Sequence, residues 1–330
     1  MNNFWNKLKD FRVVVGTAAL VAALSGPAAL AQSDFPQQPI NLIVGFGAGG
    51  GVDTFARVFA GNVKEGLRVP LVVVNSPGAA SANAAKQVIG SRADGYTLLV
   101  TNGSTLAAKV ALMGNGAGMD MGTDLVTLGS IGALVTALMV PADSPFKSAA
   151  ELVEYAAAHP GKLRWSHPGR GSLHMLGGAV FLQNNGIEAQ DVPFKGGGKA
   201  RNAVAGGQVD FGFMGVQLVS GFEETMRAIG VTSLKRDPVF NDVPTFEEQG
   251  LPQMQLNGPI TIYAPTGTPG DVVALLVEAF AKAAQSEEFL SAAQEGGLSA
   301  GYASPSDTNA TISAVMEALS PVIAELAVVN

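Results

Sequence analysis

Ile40-Asn41-Leu42-Ile43-Val44-Gly45-Phe46-Gly47-Ala48-Gly49-Gly50-Gly51-Val52-Asp53 is the stretch on which the fold turns. The apolar run Ile40 to Val44 predicts a short buried strand, and the glycines after it predict a tight turn. Val52, Phe55, Ala56, Phe59 and Val63 then recur at three- and four-residue steps, which places them on one helical face. Downstream, Leu71 to Val74 predicts a second strand, stopped by Asn75-Ser76-Pro77-Gly78. A small-residue helix from about Ala80 to Ile89 and a strand from Tyr96 to Thr101 follow, with Asp94-Gly95 turning the chain between them. Such alternation argues for a parallel sheet with helices on both faces.

A second set of elements starts after the apolar segment Ile131 to Val140, itself a buried-strand pattern. Ser148 is placed to cap a helix carrying Leu152, Val153 and Tyr155, ending before His159-Pro160-Gly161. Strand Leu163 to Ser166 leads into Pro168-Gly169-Arg170-Gly171 and a helix from about Ser172. Strand Asp191 to Phe194 leads into Gly196-Gly197-Gly198 and another helix. Val209 to Met214, Ala228 to Thr232 and Ile260 to Tyr263 predict further strands, and the tail from Pro269 predicts helices. Three strands thus end in a glycine-rich turn that opens a helix. The late strand and C-terminal helices are expected to return to the first domain, making it discontinuous.

Composition narrows the function. At 330 residues, with 47% hydrophobic and 14% charged residues, the chain has enough apolar mass for two packed domains. A net charge of -7 argues against nucleic acid as a partner. Without cysteine there are no disulfides, thiolate metal sites or cysteine nucleophiles, and three histidines are too few for a His-rich metal site. Lys7, Lys9 and Arg12, then the apolar run Val13 to Leu24, then Ala29-Leu30-Ala31, have the layout of a signal peptide cut after Ala31. The apolar run is shorter than the about 20 residues a membrane span needs. The mature protein is therefore expected to be exported to the periplasm and soluble.

The turn Gly45-x-Gly47-x-x-Gly50 matches the dinucleotide fingerprint in outline, since free N–H groups and a positive helix end suit an anion. The fingerprint also wants an acid at the end of the second strand, where this chain has Asn75. Carboxylate binding by Phe46, Gly47, Ala48, Gly49 and Gly50 is the preferred reading, with the N–H groups at Gly49 and Gly50 as the cradle. A nicotinamide-dependent oxidoreductase and a secreted hydrolase remain as alternatives. Asp53 is read first as a partner of the helix end. Asn102 and Ser104 follow the third strand at the carboxyl edge, where open α/β sheets place ligands; Ser104 doubles as a candidate helix cap. His167, Gly169, Arg170, Gly171 and Ser172 form the most suggestive polar cluster, with Arg170 free to swing between glycines toward a carboxylate or toward solvent. Lys195 and Gly196 are a further candidate anion contact. No Gly-x-Ser-x-Gly elbow supports a hydrolase, so no catalytic residue, metal or cofactor is assigned.

These motifs, taken together, are similar to one family. Pro39-Ile40 through Val52-Asp53, Asn75-Ser76-Pro77-Gly78-Ala79, Asp94-Gly95-Tyr96-Thr97-Leu98-Leu99 and Pro160-Gly161-Lys162-Leu163 resemble, in order, the substrate-binding receptors of tripartite tricarboxylate transporters, the Bug proteins. Val192-Pro193-Phe194-Lys195-Gly196, Gly206-Gly207-Gln208-Val209-Asp210, Asp242-Val243-Pro244-Thr245 and Ala264-Pro265-x-Gly267-Thr268-Pro269 continue the likeness. Gly45 departs from it, standing where the family usually has Pro. The resemblance implies a periplasmic-binding-protein-like fold, with two α/β domains joined by two crossing strands around a cleft that closes like a Venus flytrap. It implies domain 1 at 32–135 plus 259–330, domain 2 at 136–258, and a signal peptide at 1–31. It also implies a monomer that performs no chemistry, binds a small organic carboxylate (a di- or tricarboxylate or aromatic acid) and delivers it to membrane permease subunits.

Overall fold

The glycine-punctuated stretch folds as its pattern predicts: Ile40–Val44 is strand β1 and Gly51–Asn62 is helix α1. The computed structural model describes residues 35–63, 67–256 and 258–328, so the expected signal peptide lies outside the described residues. Next come β2 (Leu71–Asn75), α2 (Ala82–Ile89), β3 (Thr97–Asn102), α3 (Gly103–Met113) and the long β4 (Leu125–Leu134). Only Val135 separates β4 from β5 (Thr136–Pro141), which opens a second sheet. That sheet gathers β6 (Leu163–His167), β7 (Ala189–Pro193), β8 (Phe211–Gly215) and β9 (Met226–Val231). Helices α4 (Ala149–Ala158), α5 (Leu173–Asn184) and α6 (Gly197–Ala205) connect them. The chain then returns to the first sheet through β10 (Gly258–Pro265), α7 (Gly270–Ala284), α8 (Glu287–Glu295), β11 (Ala300–Ala303) and α9 (Pro305–Val328).

The first sheet has the order β11-β4-β10-β3-β1-β2 and the second β7-β6-β8-β5-β9. Strand β1 runs parallel to β2 and β3, and β6 parallel to β7 and β8, as the alternating pattern requires. Both sheets are nonetheless mixed: β10 is antiparallel to β3 and β4, and β5 antiparallel to β8 and β9. The crossing strands cause this, because each enters its second sheet without a helical crossover. The apolar segment at Ile131 to Val140 is accordingly parts of two strands, with the change of sheet inside it.

Both sheets bury period-matched faces. On the first, Phe59 of α1 meets Phe280 and Phe289 edge-on, at centroid distances of 5.5 and 5.3 Å. Burying each such ring is worth about 1.5–3 kcal/mol. On the second, Trp165, Phe181, Phe211 and Phe213 make a matching aromatic cluster. Helices α7 and α8 pack on the first sheet, as the tail predicts. Helix α9 differs: Val315, Leu319 and Val322 pack in the core cluster of the second sheet, beside Leu176 and Phe181. The last helix therefore joins the two sheets rather than serving the first alone.

Candidate functional site

The loop from β1 to α1 is shaped by one carboxylate. Gly50 is the extended N-cap residue of α1 and, lacking a side chain, leaves the helix end without a side-chain cap. Asp53, 2% exposed in the first turn, accepts from the Gly49 N–H (2.8 Å), from Arg57 Nε (3.0 Å) and from Asn75 Nδ2 (2.8 Å). Asn75 also donates to the Phe46 carbonyl, so β2 grips both ends of the loop. Burial alone pushes the Asp53 pKa up; the bonds from Arg57, Gly49 and Asn75 and the Arg57 charge outweigh it, holding the group below the ordinary carboxylate value. Asp53 is thus a brace for the loop, in agreement with its preferred reading. The bonds also correct one expectation. The Gly49 N–H is engaged by Asp53 and the Gly50 N–H by the Gly47 carbonyl (3.3 Å), so neither is free to cradle an anion. What the loop offers is the positive first turn of α1 and the exposed backbone of Gly47 and Ala48. Phe46 is half-buried and packs against the first core.

The neighbouring loops carry buried hydroxyls. Asn102 accepts from Thr105 N (2.9 Å) and is the N-cap of α3, so the cap role considered for Ser104 belongs to Asn102. Ser104 is fully buried and its hydroxyl has no hydrogen-bond partner among the described residues. The same is true of Ser81, which follows β2 in a turn where Ala79, Ala80 and Ser81 all hold left-handed φ values of 47°, 51° and 78°. A Cβ on Gly45 would fall on Ser81 Oγ. Glycine at 45 and serine at 81 therefore fit as a pair, and this accounts for the absence of a ring at position 45.

On the second sheet the polar cluster is assembled, but in a bracing role. His167 is fully buried; its Nδ1 accepts the Gly169 N–H (3.1 Å), which puts the ring proton on Nε2, 2.5 Å from Asp191 Oδ1. Burial lowers its pKa, against the opposing pull of Asp191. His167 is therefore spent on the loop and exposes no surface to a ligand, which corrects its place among the candidates. Arg170 does not swing freely either: its Nη2 pairs with Asp191 Oδ2 at 2.7 Å, although the side chain is 67% exposed. Ser172 caps α5, accepting from Met175 N and donating to the Gly169 carbonyl. The loops after β6 and β7 are stitched together by Phe194 N to His167 O and Gly196 N to Pro168 O, which brings Gly169, Gly171, Lys195 and Gly196 to one edge.

Contacts between the two sheets define a seam with these loops on either side. A Cβ on Gly171 would lie 3.7 Å from Leu112 and 3.8 Å from Lys109 of α3. A Cβ on Gly51, the first residue of α1, would collide with the Gln217 side-chain amide from the loop after β8. Ser299 donates to Asp237 at 2.5 Å. Thr136, the first residue of β5, bonds His174 Nδ1 at 2.8 Å, and burial together with the nearby His167 lowers the His174 pKa to about 4. Sequence reasoning missed Gln217, Ser81 and the Thr136–His174 pair. One signal was available: Gly215 ends β8, and Val216-Gln217 follow it at the same strand edge as the loops after β6 and β7. A cavity of about 220 Å³ lies elsewhere, between α5, the second crossing and α9. Among the described residues no group of three or more His, Asp or Glu could hold a metal, and no helix is long and apolar enough to cross a membrane.

Two mixed α/β sheets joined by two crossing strands, with glycine-rich turns opposed across the seam, define the class of two-lobed solute-binding proteins. The chain belongs to the tripartite tricarboxylate transporter family of receptors, whose model matches residues 55–328. It is 29% identical to protein BugT of Bordetella pertussis over 94% of this chain and 96% of that one. Among solved structures, MatC from Rhodopseudomonas palustris with bound malate aligns with a TM-score of 0.75 at 27% identity, covering 89% of this chain and 100% of that one. Another R. palustris protein, with adipate, gives 0.77 at 28% identity, covering 89% and 98%. The fold and the family expected from the motifs are those found, and the family is one of receptors rather than enzymes.

Proposed function

We propose that this chain is a periplasmic receptor that captures a small organic carboxylate between its two sheets and hands it to a membrane permease of the tripartite tricarboxylate type. The observation that carries the reading is the uncapped N-terminal end of α1, set by the Asp53 brace at the seam and faced by the second sheet's loops. A positive helix end with no side-chain cap suits a carboxylate. Malate and adipate in the two solved relatives agree with that class. In this account Phe46, Gly47, Ala48 and the first turn of α1 hold one end of the ligand with Asn102 and Ser104, Gly49 and Gly50 shape the loop behind them, and Gly169, Gly171, Lys195 and Gly196 bound the other end. Signal peptide 1–31 is removed, domain 1 spans 32–135 plus 259–330, domain 2 spans 136–258, and the mature receptor acts as a monomer. A thermal-shift screen of mono-, di- and tricarboxylates and aromatic acids tests it. A ligand at 100 times its Kd adds about 2.7 kcal/mol, so one acid class should raise the melting temperature by several degrees. Stabilisation by NAD alone, or turnover of an ester, would transfer the assignment to the oxidoreductase or hydrolase reading.

A further inference from the structure

We infer that His174 is a specificity-determining residue of the seam, and that its Nε2–H selects a carboxylate whose far end carries a second hydrogen-bond acceptor. The inference rests on the carboxylate-receptor reading and deepens it. His174 stands in the first turn of α5, where Ser172, Leu173 and Met175 are buried and His174 keeps accessible surface. Its Nδ1 is taken by Thr136 Oγ1 at 2.8 Å, and Thr136 is fully buried at the start of β5. Nε2 makes no hydrogen bond among the described residues and is not one of the buried atoms left without a partner, so it is the polar atom open to solvent. The opening belongs to the seam. Gly171, at the entry to α5, lies against Leu112 and Lys109 of α3. Thr136 pairs with Gly215 across β5 and β8, a Cβ on Gly215 would overlap the Gln217 amide, and Gln217 Nε2 lies against Gly51 of α1. Contacts therefore run unbroken from His174 to the uncapped end of α1. The surrounding protein lowers the His174 pKa to about 4 although the residue keeps accessible surface, as expected of a group lining an enclosed cleft.

The partner of Nδ1 fixes the tautomer. Thr136 Oγ1 has no other bond among the described residues. Were Nδ1 to donate, the buried hydroxyl proton would be left without an acceptor, and buried donors are seldom left so. Thr136 therefore donates, Nδ1 accepts, and the ring proton sits on Nε2. His174 offers the cleft one donor and, at neutral pH, no charge. With one carboxylate on the first-turn N–H groups of α1, this donor on the opposite sheet needs an acceptor at the other end of the ligand. A second carboxylate supplies it and a methyl does not. An ammonium sets donor against donor, beside the positive end of α5 where a cation is disfavoured. Arg170, exposed and paired with Asp191, leaves this role to His174.

Titration calorimetry of the purified protein with succinate, glutarate and adipate tests this. Each is set beside the acids that end in a methyl or an ammonium at the same place: butyrate and β-alanine, pentanoate and 4-aminobutyrate, hexanoate and 5-aminopentanoate. Wild type should bind the diacid of fitting length at least about tenfold more tightly than its monoacid, because the monoacid leaves a donor of the site unpaired. The amino acid should bind most weakly. His174→Asn, whose amide reaches only the Nδ1 position, keeps the Thr136 bond and withdraws the cleft donor, so the ratio should fall at least about fivefold. His174→Gln, whose amide reaches the Nε2 position, should keep most of it. Melting curves without ligand establish that the variants fold; where the Asn variant does not, Thr136→Val, which releases the ring, should lower the ratio in its place. A ratio near one in wild type, a ratio preserved in the Asn or Val variant, or a preference for the amino acids overturns the inference and leaves the receptor reading in place. Binding of aromatic monoacids with no response to the diacids does the same, and binding of no carboxylate at millimolar concentration overturns both.

Discussion

Replacing Asp53 with alanine should show how much of the ligand-binding loop depends on one buried carboxylate. Three donors converge on it: the Gly49 N–H, Asn75 Nδ2 and Arg57 Nε. Hydrogen bonds to a charged group are worth about 1.5–3 kcal/mol each, and a neutral one about 1. Arg57 is 51% exposed, so its share is that of a solvent-screened surface pair, the weakest of the three. Gly49 is exposed and recovers water when released. Asn75 loses one of its two loop contacts, and α1 loses a negative charge at its positive end, worth about 0.3–1 kcal/mol. The net expectation is a loss of about 2–4 kcal/mol in urea unfolding. Binding of the tightest acid from the screen should fall at least about tenfold, because the loop it uses is no longer held. The Asp53 share of stability is complete above the ordinary carboxylate pKa of 3.8 and disappears as pH falls through the lowered folded value. Asp53→Asn should give an intermediate loss. A change below about 1 kcal/mol with binding intact would refute the claim that this carboxylate shapes the loop.

Three further substitutions follow from the site. Gly49 sits at φ 76°, and a Cβ there would meet no heavy atom within 4 Å, so Gly49→Val should cost about 1–2 kcal/mol through backbone strain rather than collision. By disturbing the turn whose Gly49 N–H is held by Asp53, it should weaken carboxylate binding by calorimetry in a protein that still unfolds cooperatively. Arg170→Ala should cost less than about 1 kcal/mol and weaken mono- and dicarboxylates equally, because the guanidinium is exposed and held by Asp191; a selective loss of tens-fold for dicarboxylates would restore it as a ligand contact. His174, with its pKa lowered to about 4 from 6.5, stays neutral in the fold while the unfolded chain takes up a proton. Stability should therefore fall as pH drops from 6.5 to about 4, by up to about 3 kcal/mol at about 1.4 kcal/mol per pKa unit. His174→Gln should flatten that part of the pH profile in melting experiments, leaving the contribution of His167, whose pKa burial also lowers.

The parts of the fold legible in the sequence were those written in local periodicity. The β1–α1 unit and the strand-to-glycine-turn junctions at Gly169 and Gly196 follow from apolar runs and turn residues, and they stand where the pattern places them. The antiparallel course of β10 and the passage from β4 to β5 were not legible, because a buried strand reads as the same apolar run in either direction and in either sheet. Strand β11, only four residues long and half-exposed, has no such run at all. Helix α9 showed its apolar stripe plainly, but a stripe does not say which core receives it. At the site, residue type drew attention to His167 and Arg170, while the acid that engages both, Asp191, lies in the next strand and had no local mark. Gln217 was hidden for a related reason: its meaning comes from Gly51, far away in sequence and adjacent only in the fold.

A crystal structure of the protein with the tightest-binding acid from the thermal-shift screen tests the central claim most directly. The account predicts one ligand molecule in the seam between the two sheets. Its carboxylate should lie within hydrogen-bonding distance of the first-turn N–H groups of α1, with the rest of the ligand facing the loops of the second sheet. A carboxylate bound away from the β1–α1 loop, in the cavity beside α9 or on the outer surface, would contradict it.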